Sequence, residues 1–62
     1  MSVWFAVDKA GEFMFKGLPF RDELDFWCHP GWIELPEGSI EFILGRRLTW
    51  ADEPVELREV KQ

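Results

Sequence analysis

One cysteine, Cys28, and one histidine, His29, occur in the 62 residues, and tyrosine is absent. A single thiol cannot close a disulfide within the chain, which removes the small secreted frameworks held by several bridges. One Cys and one His also fall short of structural zinc, which takes four protein ligands, and of catalytic zinc, which takes three. No metal and no cofactor are therefore expected, a site that Cys28 and His29 would share across a dimer interface being the one alternative. Long hydrophobic runs are missing too: nothing approaches the roughly 20 apolar residues that cross a bilayer. The first residues, Met1-Ser2-Val3-Trp4-Phe5-Ala6-Val7, carry no basic stretch, long apolar block or cleavage-like end. These absences point to a cytoplasmic protein with no membrane partner. Positive charge is scarce, with 7 Lys and Arg against 12 Asp and Glu for a net charge of −5, and Arg46-Arg47 is the one adjacent basic pair. Nucleic acid is not an expected partner, because its backbone is bound through Lys and Arg that release counterions.

Residues 1–62 read as one small domain, without internal repeat, linker or low-complexity tract. A chain this short buries only about 60% of the surface its unfolded form exposes, so its core must be dense. Aromatics supply that density as 6 Phe and 4 Trp, each able to remove about 150 to 250 Å² from water. The glycines are scattered, with no cluster that would cradle a phosphate. Cys28 and His29 are consecutive, which rarely aims two side chains at one reacting centre, and Ser2 and Ser39 have no base nearby in sequence. Asp22-Glu23-Leu24-Asp25 and Asp52-Glu53 read as solvated turns. No enzymatic activity is expected.

Residues 2–7 are rich in β-branched and aromatic types, and Glu12-Phe13-Met14-Phe15-Lys16 alternates at period 2. Between them Asp8-Lys9-Ala10-Gly11 supplies turn formers, so the chain begins with a β-hairpin. Both faces of its first strand are apolar: Val3, Phe5 and Val7 on one, Trp4 and Ala6 on the other. Phe13 and Phe15 share a face of the second strand, and the side bearing Trp4 and Met14 is expected to need a second cover. Residues 20–31 lack a period and read as an ordered loop pinned by Phe20, Leu24, Phe26 and Trp27. Trp32-Ile33-Glu34-Leu35 reads as a third strand. A short helix follows Pro36-Glu37-Gly38-Ser39 and stops at Gly45, with Ile40, Ile43 and Leu44 inward, Phe42 outward, and Arg46-Arg47 at its negative end. Thr49 resembles a cap on one further turn that Pro54 ends, and Val55 to Glu59 alternates as a fourth strand, with a frayed end over 59–62. The expected class is α+β: a small antiparallel sheet of three to four strands, opening with the hairpin, packed on one short helix.

Aromatic and acidic groups without basic ones suit a protein interface, where Trp and Phe anchor contacts and acids meet a basic surface. The leading expectation is a non-enzymatic protein-interaction module, homodimeric, with Trp4, Met14 and Phe42 as apolar contacts to a protein partner and Arg46 and Arg47 as a polar rim. The alternative is a homo-oligomer that captures a small ligand such as a nucleotide between subunits, through Trp27, His29, Trp32 and Arg46.

The stretch Leu35-Pro36-Glu37-Gly38-Ser39-Ile40-Glu41, with Leu44-Gly45-Arg46, Leu48-Thr49-Trp50-Ala51-Asp52-Glu53-Pro54-Val55 and the Trp4-Phe5-Ala6-Val7-Asp8-Lys9-Ala10-Gly11-Glu12 start, resembles short uncharacterised accessory proteins of phages and prophages. That resemblance covers most of the chain. It implies an accessory role without catalysis, such as interference with a host system, and assigns no site residues.

Overall fold

The computed structural model describes residues 2–58, arranged as β1 (Ser2–Asp8), β2 (Gly11–Phe15), β3 (Phe20–Arg21), β4 (Trp27–Cys28), β5 (Trp32–Leu35), α1 (Ser39–Leu44) and β6 (Val55–Arg58). Four strands form an antiparallel sheet in the order β5-β2-β1-β6, and β3 with β4 forms a second, two-stranded sheet. The architecture is mostly sheet, with one short helix. Glu59 and the frayed end expected over 59–62 lie outside the described residues. No helix among those described is long and apolar enough to cross a membrane.

The hairpin forms as its residues dictate. Lys9 and Ala10 make the turn, Gly11 takes the positive φ of 133° available to a residue without Cβ, and Asp8 Oδ1 accepts the Ala10 N–H at 2.8 Å. This two-residue turn pairs Asp8 with Gly11, so odd residues of β1 sit opposite even residues of β2, Phe5 against Met14 and Trp4 against Phe15. Met14 consequently does not share a face with Trp4 as expected. It packs with Val3, Val7, Leu35, Leu44 and Val55 around the buried cluster of Phe5, Ile40 and Leu48. The first apolar face of β1 is thus covered by α1 and the Leu48 segment.

Helix α1 lies between Gly38 and Gly45, both with left-handed φ. Its first amides are satisfied from outside: Glu12 of β2 accepts the Gly38 N–H at 2.6 Å and the Ile40 N–H at 2.8 Å. At six residues it is about 9 Å long, which turns one row of side chains inward. Ile40 is buried and Leu44 half-buried, but Ile43, expected inward, is 44% exposed. Phe42 points outward as the spacing indicated, at 91% exposure. Beyond it Thr49 opens a turn and no helix; Asp52 Oδ2 accepts the Thr49 N–H at 2.7 Å, and Thr49 Oγ1 accepts the Ala51 N–H at 3.3 Å.

The second face of β1, with Ala6 and Trp4, continues through Phe13 and Phe15 to Trp32. Its cover is the segment read as a loop, which instead folds as the β3–β4 hairpin. Phe20 and Leu24 do not pin this segment, since both are exposed. Trp27 does: its indole Nε1–H donates to the Val7 carbonyl at 3.0 Å, and its backbone N–H donates to Asp8 Oδ2 at 3.0 Å. The sheet is therefore covered on both sides by short segments of the same chain.

Candidate functional site

Asp22 shapes the β3–β4 turn. One carboxylate oxygen accepts the Leu24 N–H at 2.8 Å and the Phe26 N–H at 3.0 Å, and Asp25 takes a left-handed φ of 66° that a short polar side chain tolerates. The hairpin is thereby held against the second face of the sheet, leaving an open-sided gap between them. That gap is a cavity of about 420 Å³, lined by Phe13, Phe15 and Trp32 from the sheet, by Phe20, Phe26, Trp27, Cys28, His29 and Pro30 from the cover, and by Asp8 and Ala10 at the β1–β2 turn.

Ring geometry gives the cavity its character. Phe13 meets Trp32 edge to face, with centroids 5.6 Å apart at 74°, and Phe15 meets His29 at 6.4 Å and 77°. Phe13 and Phe15, two apart on one strand, lie 6.2 Å apart. Such arrangements hold rings in defined positions. The Arg21 guanidinium sits 4.5 Å from the Trp27 ring centroid and donates to the Trp50 carbonyl, which steadies the cover from outside.

The polar groups of the lining have their own partners. Asp8, 6% exposed, receives the Ala10 and Trp27 amides on its two oxygens. His29 Nδ1 accepts the Gly31 N–H at 3.0 Å, which in the neutral imidazole places the proton on Nε2. Behind this ring stands Gly17, where a Cβ would come within 2.6 Å of His29 Nε2, so the imidazole seats only against a glycine. Cys28 Sγ lies 3.4 Å from Asp22 Oδ2. Burial raises the Cys28 thiol above its ordinary 9.0, and Asp22, then Asp8, add to the rise. The Phe26 N–H holds the Asp22 carboxyl below its ordinary 3.8 against an opposing desolvation.

Cys28 is thus kept as a thiol at neutral pH, which suits a packing group better than a nucleophile. Iodoacetamide at pH 8 is expected to alkylate Cys28 more slowly than a free cysteine peptide, and Asp22→Asn is expected to speed the reaction by removing a charge that disfavours the thiolate. An unchanged rate in Asp22→Asn, followed by mass spectrometry, would rule out that electrostatic control.

The structure brings Trp27, His29 and Trp32 together in this one cavity. Arg46 does not join them, because it follows α1 on the opposite side of the sheet. Of the residues expected at a partner surface, Met14 belongs to the core, Trp4 is half-buried on the cavity face without lining it, and Phe42, Arg46 and Arg47 are exposed on the α1 side. They do not form one surface. Arg47 lines a separate cleft of about 210 Å³ with Glu12, Glu37 and Glu41. Sequence reasoning missed Asp8, Phe13, Phe15, Phe20 and Phe26 as lining residues; the shared face of Phe13 and Phe15 was the available signal.

Among the described residues no Lys or Arg lines the cavity, and no group of three His, Cys, Asp or Glu able to hold a metal ion occurs. The cavity can therefore hold a planar apolar group by ring contacts, and its carboxylate, on Asp8, is unfavourable for an anion. No protein-family model matches the chain, and neither a curated protein nor a solved structure shows significant similarity to it.

Proposed function

We propose that this protein is a non-enzymatic interaction module whose working surface is the aromatic cavity under the β3–β4 hairpin, and that it receives an aromatic side chain of a partner protein. The observation that carries the reading is the lining: a cavity of about 420 Å³ walled by Phe13, Phe15, Phe26, Trp27, His29 and Trp32. This volume lies in the range of sites that bury a ligand, about 300 to 1,000 Å³. Aromatic anchors in desolvated pockets commonly carry most of the energy of a protein contact. Binding without catalysis also agrees with the accessory role implied by the phage and prophage resemblance. Self-association through Phe42, Arg46 and Arg47 is a separate part of the proposal, independent of the cavity.

Capture of a nucleotide is less well supported, since a phosphate would find no Lys or Arg among the described lining residues. The test is a titration of the 4 Trp by fluorescence with N-acetyl-phenylalaninamide, N-acetyl-lysinamide and AMP. A saturable response to the phenylalanine derivative alone is expected, weakened about tenfold by Trp32→Ala through loss of one ring contact. An equal response to AMP, or none to the phenylalanine derivative, would overturn the reading.

A further inference from the structure

The two edges of the main sheet are unlike. β6, at one end, carries Glu56 and Arg58 in an ion pair at 3.4 Å, and charged side chains of this kind discourage further strand pairing. β5, at the other end, presents exposed Trp32 and Ile33 with Glu34 as its single charge. Among the described residues, no backbone hydrogen bond joins Trp32–Leu35 to anything but β2. Its outward N–H and C=O groups are a free template for one more strand.

Trp32 is at once a residue of this free edge, 54% exposed, and a wall of the cavity. Resting on the cavity reading above, we infer that the partner enters as an extended segment that adds antiparallel to β5 and drops one aromatic side chain beside Trp32 into the cavity. Strand addition supplies affinity through main-chain hydrogen bonds and specificity through alternate side chains. The side chains that fit follow from the edge. A residue opposite Trp32 lies on the cavity face, with its Cβ about 4.5 to 5.5 Å away, and should be aromatic. Opposite Ile33, on the face that continues through Met14 and Phe5 to Val55, a β-branched apolar residue fits. Opposite Glu34, on a chain of net charge −5, a Lys or Arg fits. Read from the partner's N-terminus, the segment is basic, β-branched, aromatic.

A second copy of this chain makes a poorer occupant. Antiparallel self-pairing of β5 centred on Ile33 sets Glu34 against the partner's Trp32, and centring it on Glu34 sets two carboxylates face to face. Prolines at 30 and 36 leave little room for other registers.

The probe is the peptide acetyl-Gly-Ser-Thr-Arg-Val-Phe-Thr-Ser-Gly-amide, with two versions N-methylated at alternate residues in opposite phase and one with Glu replacing Arg. Fluorescence reads binding, and amide hydrogen exchange reads β5. The parent peptide is expected to bind and to slow exchange in 32–35 by about tenfold or more. One methylated phase should lose about tenfold in affinity, the equivalent of one or two main-chain hydrogen bonds, while the other binds normally. The Glu version should bind about fivefold more weakly. Equal binding by both methylated phases, or no peptide binding while N-acetyl-phenylalaninamide still binds, would overturn strand addition and leave the cavity reading standing. Loss of both probes would instead remove the cavity reading. Protection of 32–35 in a dimer without peptide would make a second copy the occupant and overturn the inference.

Discussion

Phe5→Ala is expected to leave the domain largely unfolded at room temperature. Phe5 is 1% exposed and sits in the centre strand pair, packed with Ile40 and Leu48 beneath α1. Truncating a buried Phe removes its transfer free energy and leaves a cavity, together costing about 3 to 5 kcal/mol. A core of this size without disulfide or metal supplies rarely more than about 3 to 5 kcal/mol in total. The loss is therefore comparable with the whole stability. Phe5→Leu keeps most of the volume and should cost about 1.5 kcal/mol or less. Urea titration followed by tryptophan fluorescence checks both variants. A folded Phe5→Ala protein with an unchanged midpoint would show that this cluster does not hold the domain.

Asp8→Ala should have the second largest effect, and on a different part of the molecule. The carboxylate closes the β1–β2 turn through Ala10 and anchors β4 through Trp27. Removing it leaves two amides without their acceptor in a site only 6% exposed, for a cost of about 2 to 4 kcal/mol. Asp8→Asn retains one acceptor oxygen and should lose about half as much. The β3–β4 cover hangs on Asp8 through Trp27, whereas Asp8 is not among the residues packed in the Phe5 cluster. Binding of N-acetyl-phenylalaninamide should therefore fail in Asp8→Ala at urea concentrations where the main sheet is still intact. Coincident loss of binding and of sheet structure would show that cover and sheet form one cooperative unit.

The strands of the main sheet and the helix were legible because each is signalled locally. Period-2 alternation marks β2, the Asp8-Lys9-Ala10-Gly11 turn marks the hairpin, and Gly38 and Gly45 bracket α1. The assignment of Met14 to the Trp4 face failed at the one step where a single residue matters. With a two-residue turn the pairing is Phe5 with Met14, and a register shift by one would have moved every β2 side chain to the other face. β3 and β4, at two residues each, are too short for any period to show. The cavity was hidden for a related reason: its walls come from β2, the β3–β4 segment and β5, and only the fold brings them together. Trp27, His29 and Trp32 were nameable because they lie close together in the chain. Asp8 was not, because a carboxylate beside a turn signals only the turn until its second oxygen is seen to hold Trp27.

Glu12 ties the helix to the sheet across a long stretch of chain. An isolated helix of six residues lies far below the length at which helix formation overcomes its nucleation cost, about 12 residues even for favourable sequences. Here the acceptors for its first amides reside on β2, 26 and 28 residues earlier in the chain. Helix α1 therefore depends on β2 for the acceptors of its first amides. The helix of the described residues is thus secured by the sheet more than by its own sequence.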